Sequence, residues 1–233
     1  MRDRAALLPP WPYLIECAWK LGGKGLAREK VYSSPDNALY DVFEGAVVLI
    51  GGFAGHGTPE SLLRALYRKG VGDLTCICQG AWTGPGDTFD VARLVAAGQV
   101  RKLVSPLPVY PGAGGPVEER WKSGQLEVEV VPQGVLAERL RAAGAGLGGV
   151  FLPARVGTRF QEGQERRRLG AQECLLELPL RADFALLRAH VADTLGNLVY
   201  QGTQRNWNPV MAMAAGVSIA EVDRICEPGG LDP

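Results

Sequence analysis

The sequence predicts an α/β fold, an open and mainly parallel sheet flanked by helices, with a β-hairpin excursion near 155–182. Three observations predict it. The runs "AVVLI" (46–50) and "LTCIC" (74–78) are continuously apolar or small, as expected of strands covered on both faces. Each is followed by a helix-like segment that stops at a glycine, Gly70 in one case and Gly98 in the other. Strands and helices then alternate at the lengths of βαβ units, which makes neighbouring strands parallel.

In chain order, Ser34 and Pro35 are a helix cap and first position, leading a helix through "DNALYDVF". The strand 46–50 follows. Thr58 and Pro59 open the next helix, ending at Gly70, and "LTCIC" is the second strand. Asp87 and Thr88 are candidate caps for "FDVARLVAAG", and "VRKLVSP" is the third strand. "PVEERWKSG" is a short helix. "LEVEVV" alternates apolar and acidic residues, so it is half exposed or near an edge. "VLAERLRAAGAG" is an amphipathic helix, and "GVFLP" is short and apolar. Residues 155–182 are charged and irregular, and "RRR" at 166–168 is a solvated turn rather than a phosphate site. "DFALLRAHVADTLGNLVYQG" forms two strands around a turn at Gly196-Asn197. Asn208-Pro209 starts a helix, and "SIAEVDRI" closes as a strand. The expected organisation is an N-terminal extension over 1–30 and one domain over 31–233.

Composition removes several function classes. Formal net charge is zero, which gives no electrostatic case for nucleic acid or an anionic membrane surface. No apolar run reaches the ~18 residues of a membrane span. The extension carries Pro9, Pro10 and Pro12 in its apolar part and Asp3 at its start, a poor fit to a signal peptide. Five cysteines, odd in number and scattered, fit free thiols in a reducing compartment, so the expected location is cytoplasmic. Cys76 and Cys78 lie two apart in a strand and share a face as small core residues. Two histidines, His56 and His190, are too few for a histidine-based zinc site, and no G-x-S-x-G is present.

The chemistry-bearing feature is "GGFAGHGTPE", between a strand and a helix start. In open α/β sheets the ligand crevice lies at the carboxyl ends of the strands. Unpaired amides and a helix dipole suit that loop to an anionic group or a developing oxyanion. Its glycines, at 51, 52, 55 and 57, do not give G-x-G-x-x-G, and no Gly-Lys-Ser/Thr follows. From the loop alone, a ligand cradle and a plain tight turn are both open.

Further segments carry a resemblance. "GAVVLIGGFAGHGTPE", with Gly45, Gly51-Gly52-Phe53, Gly57 and Pro59, resembles the family I coenzyme A transferase pattern, although Glu44 stands where Asp or Asn is usual. "GQLEVEVVPQGVLAERLRAAGAGLGGVF" (124–151) resembles that family's second block. "ADTLGNLVYQGTQRNWNPVMAMAA" (192–215) resembles its third. The likeness is to the alpha-type chain of the 3-oxoacid or 3-oxoadipate CoA-transferases, which act with an acyl-CoA such as succinyl-CoA.

The resemblance implies a transferase with no bound cofactor and a coenzyme A thioester as substrate. It implies a beta subunit that carries the nucleophilic glutamate in a Glu-Asn-Gly-type motif, in a heterotetramer of two alpha and two beta chains. This chain has no such motif, so it is expected to be inactive alone. Gln133, in Pro-Gln-Gly, maps to an oxyanion donor. Substrate contacts are expected from Gly51, Gly52, Phe53, Gly55, Gly57, Gln79, Gly80 and Arg155. At 79–80 the family usually has Asn-Asn, and at 155 glycine is usual. There Arg155 either binds a second carboxylate or points to solvent. His56 is expected to be a turn residue facing solvent or the partner. Two alternatives remain: a non-catalytic or substrate-shifted paralogue that binds acyl-CoA, and a sugar-phosphate-binding protein of the same fold, which leaves the Pro-Gln-Gly and Asn-Pro-Val-Met blocks unexplained.

Overall fold

A computed structural model describes residues 30–81, 88–109 and 114–231. The expected extension over 1–30 lies outside the described residues, apart from Lys30. Six strands form the parallel spine of the main sheet in the order β10-β8-β1-β2-β3-β4. These are β1 (Val47–Ile50), β2 (Leu74–Cys78), β3 (Val100–Ser105), β4 (Glu127–Val130), β8 (Ala182–Asp193) and β10 (Ala215–Cys226). The two-residue β9 (Leu198–Val199) folds back antiparallel on β8 through the expected turn at Gly196.

The alternation of burial explains why the central strands are apolar throughout. Val48, Ile50, Cys76, Cys78, Leu103, Phe184 and Leu186 point into one core. Leu49, Ile77, Val104, Ala185 and Leu187 point into the other. The first core is closed by Leu39 and Val42, which follow α1 (Pro35–Ala38), and by α2 (Glu60–Lys69), α3 (Val91–Ala96) and α4 (Pro116–Lys122). The second is closed by α5 (Gln133–Gly144) and α6 (Asn208–Met213). Cys76 and Cys78 share the first core, and burial pushes the Cys76 thiol up to about 12. β4 is the sheet edge the acidic alternation implied. Lys102 on β3 pairs with both Glu127 and Glu129 at 2.8 Å, so its acids face a neighbour that neutralises them.

The excursion is a separate three-stranded antiparallel sheet in the order β5-β7-β6: β5 (Val150–Leu152), β6 (Arg166–Leu169) and β7 (Gln172–Glu177). The arginine run is therefore strand, not turn. Arg166 and Arg167 pair with Glu173 and Glu165, and the Arg167 guanidinium lies 4.7 Å from the Phe151 ring centre.

Two helix starts or lengths differ from expectation. The helix expected through "DNALYDVF" stops after Ala38. The Lys69 ammonium takes the carbonyls of Leu39 (2.5 Å) and Tyr40 (2.7 Å) that a longer helix would keep for its own amides. α3 is capped by Asp90, whose carboxylate accepts from the Ala92 amide at 2.9 Å, not by Thr88. The other expected cap, Asp87, lies outside the described residues.

Candidate functional site

All six parallel strands run the same way, so their carboxyl ends share one rim. β1 leads into Gly51 and β2 into Gln79, β3 ends at Ser105, and β4 leads through Val131 into Pro132-Gln133. Hydrogen bonds lock these ends in sequence. The Gly51 amide donates to Leu186 O at 2.9 Å, the Ser105 hydroxyl donates to Gln79 O at 3.0 Å, and the Val131 amide donates to Ser105 O at 3.3 Å.

At the rim a cleft of about 120 Å³ opens between the ends of β1 and β2. Gly51, Gly52, Phe53 and Gly55 line one side, and Gln79 and Gly80 line the other. Six of the residues expected to contact substrate are thus brought together. Gly57 lies just behind the loop. Ile50, Cys78, Val91 and Leu107 make the apolar floor, and Asp90 is the one charged lining residue among those described. Gly80 approaches the Leu107 backbone so closely that a Cβ there would meet Leu107 O at 3.2 Å. This tight approach disfavours a second side-chain amide at that position. Among the described residues the Gln79 side-chain amide has no protein partner, which leaves it available to a ligand.

The glycine loop is held from beneath. Phe53 and His56 exchange two backbone hydrogen bonds of 3.0 and 2.9 Å, making a tight hairpin tip. His56 is exposed at that tip, as expected of a turn residue. Among the described residues the amides of Ala54 and Gly55 have no protein acceptor, so donors remain at the cleft.

The segment 204–209 forms the loop's support. Asn208 is fully buried. Its Nδ2 donates to Gly57 O (3.1 Å) and Gln204 O (2.8 Å), and its Oδ1 accepts from the Arg188 amide (3.0 Å). Asn206 Nδ2 donates to His56 O at 2.9 Å. Glycine is required where this support presses closest: a Cβ on Gly51 would lie 1.9 Å from Asn208 Oδ1. Gly57 combines a φ of +70° with a Cβ position 3.0 Å from Gln204 Cα. Asn208 was visible in the sequence only as the start of a helix. Its signal was a buried-type Asn before Pro in an otherwise apolar helix start, which needs polar partners elsewhere.

α2 begins where the loop ends, and its Leu62 amide is satisfied by Glu221 from β10 at 3.0 Å. Glu221 is itself paired with Arg188 at 3.0 Å, which also pairs with Asp223. The His190 ring sits 2.8 Å from Asp223, and this contact, first among the causes, holds the Asp223 carboxyl below its ordinary value.

The remaining expected site residues do not line the cleft. Gln133 is exposed at the first position of α5, on the same rim. It stands three strand positions from β1, or roughly 14 Å at ~4.8 Å per strand. Arg155 belongs to the turn after β5 at a φ of +69°, where glycine is more comfortable. Its guanidinium neither points to solvent nor reaches the cleft. It is paired with Glu177, and the two side chains are 11% and 4% exposed.

A model of the family described as coenzyme A transferase matches residues 32–233. The A-type chain of the 3-oxoadipate CoA-transferase of Pseudomonas putida is 43% identical over 204 residues, covering 88% of this chain and 87% of the relative. The alpha chain of the acetate CoA-transferase of Escherichia coli K12 is 44% identical over 190 residues, covering 82% and 84%. Among solved structures, an acyl-CoA transferase apoenzyme from Escherichia coli O157:H7 superposes with a TM-score of 0.74 at 20% identity. It covers 91% of this chain and 45% of that one, a likeness of fold.

Proposed function

The chain belongs to the coenzyme A transferase family, and from that premise we propose that it is the alpha-type chain of an enzyme moving coenzyme A between an acyl-CoA and a carboxylic acid of the 3-oxoacid type. The relatives are named as one of two kinds of chain, which implies a partner of the other kind. In this reading a beta subunit supplies a glutamate nucleophile, and two chains of each kind assemble in the cytoplasm. The observation that carries the reading is the cleft itself, with free backbone amides on one wall and an unpartnered Gln79 amide on the other.

That inventory suits the chemistry. A carboxylate nucleophile is ionised near neutral pH and needs no base. It attacks the thioester carbonyl, and the carbonyl oxygen gathers negative charge in a tetrahedral adduct. Neutral donors stabilise that oxygen without quenching the nucleophile beside it. The loop amides are such donors, and Gln133 is proposed as another, reaching in from the rim once the partner completes the site. The coenzyme A thioester is the substrate, and the reaction calls on no bound cofactor.

The test is co-expression with a beta-type partner. The chain alone is expected to show no CoA transfer, and the assembled complex is expected to transfer. Transfer by the isolated chain would sink the proposal. In the active complex, Gln133→Ala is expected to lower kcat roughly 10²- to 10³-fold, the cost of one oxyanion donor. Acyl-CoA binding without turnover in the complex would instead favour the non-catalytic reading.

A further inference from the structure

The glycine loop cannot hold its own shape. Gly52, Ala54, Gly55 and Gly57 all sit at positive φ, and a glycine-rich segment has many other conformations open to it. The direction of the Ala54 and Gly55 amides is therefore set by what grips the chain on either side. At the entrance the Gly51 amide is fixed on Leu186 O, and at the exit Asn208 grips Gly57 O. A little further on, the Leu62 amide in the first turn of α2 donates to Glu221 Oε2 at 3.0 Å.

The register of the sheet explains how a residue so late in the chain reaches this helix. β1 stops pairing with β8 at Leu186, whereas β8 and β10 continue together to Asp193 and Cys226. Their overhang stands beside the loop. Leu186 and Arg188 share a face, the one that α2 covers, and Glu221 lies opposite Arg188 across the β8–β10 ladder. The Glu221 side chain is 12% exposed and uses both carboxylate oxygens: Oε2 takes Leu62, and Oε1 takes Arg188 Nη1 at 3.0 Å. Arg188 is steadied in turn by Asp223 through its other terminal nitrogen, and by Asn208, which accepts from its backbone amide. A closed ring results. It runs from Gly57 through Asn208, Arg188 and Glu221 to Leu62, and back along the chain to Gly57.

We infer that Glu221 is a positioning residue: it fixes the start of α2 and, through it, the exit of the glycine loop, so that the Ala54 and Gly55 amides meet the developing oxyanion. The inference rests on the transferase reading above and adds to it a residue that touches no substrate. Glu221 stands outside the cleft lining, so its effect passes through backbone geometry. Donors aimed at a transition-state oxygen tolerate little displacement, and a misplacement of ~1 Å costs on the order of 10²-fold in rate. A carboxylate suits this place for two reasons. It is negative at the positive end of a helix, and it offers an acceptor to each of its two neighbours.

The experiment uses the complex assembled with a beta-type partner, with succinyl-CoA plus acetoacetate and acetyl-CoA plus acetoacetate as probe pairs. Glu221→Ala is expected to lower kcat per assembled complex by about ten- to a hundredfold while KM for the thioester stays near the wild-type value, because a transition-state contact is lost. Glu221→Gln has one carbonyl oxygen in place of two, so it leaves either Leu62 or Arg188 without an acceptor, and its kcat is expected to fall between wild type and alanine. Adding Arg188→Met frees that oxygen for Leu62, and the double variant is expected to regain kcat several-fold over Glu221→Gln. Hydrogen exchange gives a readout without turnover. In Glu221→Ala the Phe53 and His56 amides, bonded across the loop tip, are expected to exchange faster while β1 and β2 keep wild-type protection. A plain helix cap would speed exchange only in the first turn of α2 and leave kcat per complex unchanged. That result, a rise in KM with kcat unchanged, or a double variant no better than Glu221→Gln would overturn the inference and leave the transferase reading intact. A wild-type complex inactive on both pairs would overturn the transferase reading, and the inference with it.

Discussion

Asn208→Ala is expected to destabilise the protein by about 3–5 kcal/mol and to disable the site in the same step. Three hydrogen bonds of 2.8, 3.0 and 3.1 Å tie this fully buried side chain to backbone groups of Gln204, Arg188 and Gly57. Removing it strands Gly57 O, Gln204 O and the Arg188 amide, and each buried orphan costs about 1–3 kcal/mol. For a chain of this size the melting temperature falls by roughly 2–4 °C per kcal/mol, so thermal unfolding resolves the change easily. Asn208→Asp is the sharper control. It keeps the acceptor for Arg188 but turns an oxygen toward two carbonyl oxygens, and it is expected to be at least as damaging as alanine. A shape-filling role would make the aspartate variant nearly neutral. Gly51→Ala completes the argument, because its Cβ falls 1.9 Å from Asn208 Oδ1. Gly51→Ala should be severe in the native background and milder when residue 208 is alanine, a coupling that a double-mutant cycle measures directly.

This lock shows which part of the site was legible in the sequence. The glycine loop was legible because tight turns leave a compositional mark, and its place at a strand's carboxyl end followed from the apolar run before it. The parallel sheet was legible because two-sided burial removes polar residues from whole strands. β4 was legible as an edge because its acids recur every second residue. The partners of the loop were not legible. Asn208 lies 151 residues from Gly57 in the chain, and nothing local marks a residue that holds backbone so distant. Asp90 was missed for a related reason. Thr88 and Asp87 are equally good caps by residue type, and the choice among three adjacent candidates depends on where the helix packs. The early stop of α1 has the same origin, since Lys69 belongs to another helix.

Arg155 is the position where a sequence expectation and the structure part most clearly, and the difference is measurable. An arginine in place of glycine beside a candidate acid-binding site suggests a carboxylate ligand. The carboxylate it meets is this chain's own Glu177, in the small sheet. Breaking the pair from either side leaves an uncompensated buried charge, so Arg155→Ala and Glu177→Ala are each expected to cost about 3–5 kcal/mol in equilibrium unfolding. Alanine brings no backbone relief, being no more at ease than arginine at a φ of +69°, whereas glycine does. Arg155→Gly should therefore be less harmful than Arg155→Ala. Apolar replacement of both partners, Arg155→Met with Glu177→Leu, should recover most of the stability, since neither buried charge is then left alone. The decisive reading comes from the assembled complex carrying that stable double variant. A substrate-binding arginine would raise KM for the carboxylic acid tenfold or more there. An arginine that serves the small sheet would restore stability without that rise, and this second result is the one the ion pair predicts.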